Sequence, residues 1–200
     1  MPINLGVLIS GRGSNMEALA CYAAETANCP YRIALVISDQ PAALGIARAQ
    51  AFGIPALVRP RDANKGQAEQ EAAVQQALDA KGCEMIALAG YMRRLSAPLL
   101  ARWGAPKSRR VVNIHPSLLP AYRGLNTHAR ALADGAAWHG ASVHLVDAEI
   151  DSGQVLAQAR VPVLPQDTAA ALAERVLAAE HWLYPPVVAS LAQSLNADQR

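Results

Sequence analysis

Ile3-Asn4-Leu5-Gly6-Val7-Leu8-Ile9-Ser10-Gly11-Arg12-Gly13-Ser14-Asn15 is an apolar run of strand length that ends in two glycines and passes into a stretch of helical spacing. The glycines permit a tight turn, and the unpaired amides at the helix start point outward, where they attract an anion. Outward from this segment the same alternation recurs. The pattern predicts strands at about residues 3–9, 32–38, 56–58, 85–89, 110–114, 141–146 and 155–161. Between them it predicts helices at about residues 14–24, 44–52, 66–80, 96–102, 127–133 and 168–195, with Pro185-Pro186 breaking or kinking the last. Strand and helix in turn define an α/β fold: a single-domain, open, mostly parallel twisted sheet with helices on both faces, Rossmann-like in architecture. The strand order beyond the parallel core is not readable from the pattern.

The chain has 200 residues, 52% hydrophobic and 17% charged. At roughly 150 residues per domain this is one large domain over residues 1–200, with enough apolar surface to build a core and too little charge for a disordered chain. Eighteen basic against 16 acidic side chains leave a net charge of +2, too weak a field to hold a nucleic acid across the surface. Cys21, Cys29 and Cys83 form no C-x-x-C pair, so neither a disulfide framework nor a metal site is expected. The first residues carry no basic n-region, and their apolar run is far shorter than the roughly 18 residues of a membrane span. A cytoplasmic protein with no membrane partner is expected.

In open parallel sheets ligands settle at the carboxyl ends of the strands. Four segments follow predicted strands: Gly11 to Asn15, Gly90 to Arg93, Asn113 to Pro116, and Asp147 to Gly153. The first fails as a dinucleotide fingerprint at its third glycine, where Met16 stands, although Asp39 imitates the ribose-binding acid. It fails as a P-loop too, and a single phosphate monoester is the ligand it suits. Asn113 and His115 are two apart at a strand end, so their side chains leave one face and can converge on one atom. An amide N–H and an imidazolium N–H aimed together suit a developing oxyanion in acyl transfer. Asp151 is expected to favour the charged imidazole and to relay a proton from an attacking amine. Taken singly, each of these residues also fits a blander role as turn former or helix cap.

Asn113-Ile114-His115-Pro116-Ser117-Leu118-Leu119-Pro120 closely resembles the signature of the folate-dependent formyltransferases. The likeness extends through Leu8 to Gly11, Leu88 to Arg93, His139 to His144 and Glu180-His181, in order and spacing. It implies that Asn113, His115 and Asp151 are catalytic. It implies that Gly13, Ser14 and Asn15 hold the phosphate of glycinamide ribonucleotide, and that Glu180 contacts its ribose. The donor, 10-formyltetrahydrofolate, is implied to lie against Leu88, Met92, Arg93, Arg94, Leu95 and Val146. The implied reaction belongs to purine synthesis and needs no metal. Arg12, Arg94, Leu177 and the segment Lys65-Gly66-Gln67 depart from the family pattern. The branch of the family that acts on charged tRNA has a further nucleic-acid-binding domain, for which 200 residues leave no room. Two alternatives accompany this reading: a formyltetrahydrofolate hydrolase, and a nicotinamide-dinucleotide-binding oxidoreductase or sensor using Gly11, Gly13 and Asp39.

Overall fold

The computed structural model describes residues 1–105 and 107–198; residues 106, 199 and 200 of the expected domain range lie outside the described residues. The elements are β1 (Ile3–Ile9), α1 (Ser14–Glu25), β2 (Tyr31–Ser38), α2 (Leu44–Ala51), β3 (Ala56–Val58), α3 (Gln67–Ala80), β4 (Met85–Leu88), α4 (Ala97–Arg102), β5 (Val111–His115), α5 (Thr127–Ala133), β6 (Trp138–Leu145), β7 (Val155–Pro162) and α6 (Ala169–Ala197). They form one seven-stranded sheet in the order β3-β2-β1-β4-β5-β6-β7. The pairs from β3 to β5 are parallel, whereas β5–β6 and β6–β7 are antiparallel. The chain runs outward from β1 in one direction, then restarts on the other side with β4. That reversal opens a crevice at the carboxyl ends of β1 and β4.

The periodicity of β1 explains the layers. Leu5, Val7 and Ile9 pack with Met16 and Leu19 of α1 and Val176 and Val188 of α6. Leu8 faces the opposite side, with Val74 and Leu78 of α3 and Leu99 and Leu100 of α4. A strand covered on both faces has no room for alternating polar residues, and burying each such side chain contributes roughly 1.5–3 kcal/mol.

Most expected elements lie within two residues of their observed bounds. Two differ. β6 begins at Trp138 rather than near residue 141, because His139 and Gly140 pair in register with Val161 and Arg160 of β7. The helix α6 runs through Pro185 and Pro186 without interruption over 29 residues. Each proline removes a helix bond, but Leu183, Tyr184, Pro185 and Val188 are all buried, and packing against the sheet outweighs that loss. The Tyr184 hydroxyl lies 2.9 Å from the Leu88 carbonyl and 3.2 Å from that of Val112, so α6 is fastened to β4 and β5 just where the site begins. Among the described residues no helix is long and apolar enough to cross a membrane.

Candidate active site

The turn after β1 is shaped by contact with α2. Gly13 adopts φ 74° and caps α1 through its backbone; a Cβ there would stand 2.5 Å from the Gly45 Cα. Ser14 is the first residue of α1, and no side chain caps that helix. Ser10 ties this turn to the one after β4: its amide donates to the Gly90 carbonyl at 3.2 Å, and its hydroxyl accepts from the Met92 amide at 2.9 Å.

A cavity of about 790 Å³ opens at this edge of the sheet. Asn113, His115 and Asp151 border it, as do Asn15 and Glu180, and Leu88, Met92, Arg93, Arg94, Leu95 and Val146. Gly13 and Ser14 lie beside that lining rather than within it, and Asp39 stays buried outside it. The sequence expectation therefore gathers eleven of its thirteen residues around one space.

His115 Nδ1 lies 3.2 Å from Asp151 Oδ2, and its Nε2 lies 3.0 Å from the Tyr122 carbonyl. Both ring nitrogens thus face acceptors. Either neutral tautomer leaves one lone pair against an oxygen, whereas the imidazolium satisfies both. Burial opposes that charge and holds His115 below the ordinary imidazole range, although the Tyr122 carbonyl and Asp151 pull it upward. The expected effect of Asp151 on the ring is present, but desolvation outweighs it. Desolvation and the two acceptors thus act on the ring in opposite directions, with desolvation the stronger. For Asp151 burial also disfavours charge, yet hydrogen bonds from His144 and the Gly124 amide, with the nearby histidines, bring its carboxyl below the usual range. That amide lies 2.9 Å from Oδ2.

His144 is a member of this group that the strand-end argument missed. Its Nε2 lies 3.1 Å from Asn113 Nδ2 and 3.5 Å from Asp151 Oδ1, while Nδ1 faces the Leu145 carbonyl at 2.9 Å. Asn113 and His144 are direct partners in the β5–β6 register, so only knowledge of that pairing brings them together. The turn after β5 is held by Ser142, whose hydroxyl donates to the Ser117 carbonyl at 2.6 Å and accepts from the Leu119 amide at 3.0 Å.

At the α1–α6 side, Asn15 Nδ2 donates to Glu180 Oε2 at 2.6 Å. Both side chains are buried, Asn15 Oδ1 has no hydrogen-bond partner among the described residues, and desolvation raises the Glu180 carboxyl despite the bond from Asn15. A buried, incompletely satisfied polar pair beside a cavity is suited to hydroxyl groups of a ligand. Among the described residues no group of three or more His, Cys, Asp or Glu side chains is placed to hold a metal ion.

Strand order, a crevice where that order reverses and a convergent polar lining define an open-sheet α/β fold with a ligand-sized site at its strand ends. A family model described as "Formyl transferase" matches residues 3–188, and the chain belongs to that family. It is 42% identical over 188 residues to the trifunctional purine biosynthetic protein adenosine-3 of Drosophila melanogaster, covering 94% of this chain but 14% of that protein. The chain thus spans about a seventh of that relative's length. It is 37% identical over 186 residues to phosphoribosylglycinamide formyltransferase of Haemophilus influenzae, covering 92% of this chain and 84% of the relative. The crystal structure of phosphoribosylglycinamide formyltransferase from Brucella melitensis superposes with a TM-score of 0.89 at 46% identity, covering 96% of each chain. Family membership removes the nicotinamide alternative.

Proposed function

We propose that the chain transfers the formyl group of 10-formyltetrahydrofolate to the primary amine of glycinamide ribonucleotide, a step of de novo purine synthesis. The observation that carries this reading is a single cavity bordered by Asn113, His115 and Asp151 and also by Asn15 and Glu180. Two substrates held in one cavity react with the advantage of an intramolecular process. The first turn and Asn15 are suited to the phosphate, Glu180 to the ribose hydroxyls, and the apolar walls at Leu88, Leu95 and Val146 to the pterin of the donor. Residues 11–15 and Glu180 thus form the ribonucleotide half, and the later loops the donor half.

In this reading the neutral amine attacks the formyl carbon. The new C–N bond forms, the carbonyl oxygen becomes negative, and the bond from carbon to the folate nitrogen breaks. Asn113 offers an amide N–H to that oxygen. His115, with an acceptor at each ring nitrogen, takes up a proton from solvent as negative charge develops beside it, and its Nδ1–H then serves both Asp151 and the oxyanion. Asp151 receives the proton released by the amine and passes it to the departing folate nitrogen as the carbonyl re-forms and the bond to carbon breaks, and His115 returns its extra proton to solvent, so the exchange is balanced.

The direct test mixes the protein with glycinamide ribonucleotide and 10-formyltetrahydrofolate and follows the deformylated folate by absorbance. Product that requires both substrates supports the proposal. Absence of product refutes it, and equal formate release without the amine would make the protein a hydrolase instead.

A further inference from the structure

Glu71 of α3 is a buried carboxylate that the mechanism above does not use. Its side chain is 5% exposed. Burying a carboxylate is costly unless hydrogen bonds compensate, and here the donors come from one loop and one neighbour. Oε1 accepts from the Ser96 amide at 3.0 Å and Oε2 from the same amide at 3.2 Å, while the Ser96 hydroxyl donates to Oε2. Gln67, one turn earlier on α3, donates to Glu71 Oε1 at 2.9 Å and to the Arg94 carbonyl at 2.8 Å. The backbone on both sides of Leu95 is therefore gripped from α3. Ser96 also caps α4, accepting from the Leu99 amide at 3.4 Å, a task its hydroxyl performs without a buried acid.

The gripped loop is one wall of the cavity: Met92, Arg93, Arg94 and Leu95 all border it. The Arg94 guanidinium crosses to the Ala148 carbonyl at 2.9 Å, in the same loop that carries Asp151. We infer that Glu71, through Ser96 and with Gln67, is a positioning residue for the donor wall of the cavity, setting affinity for the folate while leaving the ribonucleotide half alone. Among the described residues, Asn15 and Glu180 bond to each other and not to this chain of contacts.

This inference rests on the proposed function, and direct binding separates the two. Tetrahydrofolate binding is measured by calorimetry for the wild type, Glu71→Ala and Gln67→Ala, with KM for each substrate and kcat measured in parallel. The bonds lost lie within the protein, so they act on affinity by lowering the population of the binding-competent loop, and a tenfold fall in that population weakens apparent affinity about tenfold. Glu71→Ala is expected to weaken tetrahydrofolate binding and raise the donor KM about tenfold, with the ribonucleotide KM and kcat within about twofold. Gln67→Ala, at an exposed position, is expected to give a smaller shift of the same kind, about two- to threefold, with unchanged thermal stability. Wild-type protein that does not bind tetrahydrofolate overturns the functional reading. Wild-type binding that both variants retain in full overturns the role of Glu71, as does an equal rise in both KM values. Should Glu71→Ala not fold, Gln67→Ala decides alone: a selective rise in donor KM supports the role, and no change refutes it.

Discussion

At the residue scale the polar trio is a set of mutual constraints rather than three independent groups. Asp151 has φ 49°, a left-handed conformation that costs a non-glycine residue energy, and it faces His115, His144 and the Gly124 amide. Replacing Asn113 by alanine removes the oxyanion donor of the proposed reaction, and kcat is expected to fall about 100- to 1000-fold with the fold intact; near-normal turnover of the purified variant would remove Asn113 from the chemistry. The electrostatics make a second prediction. Because burial dominates, the His115 ring should titrate below about 6.5 in an NMR experiment. Because Asp151 pulls that value upward, Asp151→Asn should move it lower still. A ring that titrates in the ordinary range, or one indifferent to Asp151→Asn, contradicts this account. Asn113, His115 and Asp151 were legible in the sequence because each stands at a strand end or in the loop beyond it. His144 was not, since nothing local distinguishes a ligand of the trio from a buried strand histidine.

At the element scale, the site depends on how helices are fixed to the sheet. Tyr184→Phe deletes a fully buried hydroxyl bridging α6 to β4 and β5. It should cost about 1–2 kcal/mol in chemical denaturation, and an unchanged midpoint would mean the bridge contributes nothing. Gly13→Ala forces a side chain into a left-handed position against Gly45. It is expected to destabilise the protein by about 1–3 kcal/mol and to weaken binding of the phosphate-bearing substrate; full retention of both would show that α2 shifts freely. The continuity of α6 through Pro185-Pro186 was hidden from sequence because proline's local cost is visible there, while the apolar face that compensates for it exists only against the sheet. The early start of β6 was hidden likewise, since His139 and Gly140 acquire strand geometry from pairing with β7.

For the whole molecule, buried and half-buried histidines make acid destabilising. Desolvation chiefly lowers His115, His128 and His181, and it lowers His139 to about 4. Unfolded histidines take up protons near pH 6.5, so between that pH and about 4 the unfolded state binds more protons than the folded one. Stability is therefore present above pH 6.5 and lost as pH falls through this window, before most carboxylates titrate. Thermal midpoints measured at pH 7, 5.5 and 4 should decline across this range, and a flat profile would contradict the burial of these rings.

The sequence by itself determined the α/β class, the parallel core and the strand ends that border the candidate site, because periodicity, glycine turns and strand termini are local consequences of backbone geometry. Tertiary structure alone decided the order of β4 and β5 beside β1, the antiparallel β6–β7 edge, the Asn113–His144 pairing, the Asn15–Glu180 contact and the desolvation of His115. Each of these depends on which distant segments exclude water from one another, and desolvation and register belong to the packed sheet, with no trace in any single stretch of chain.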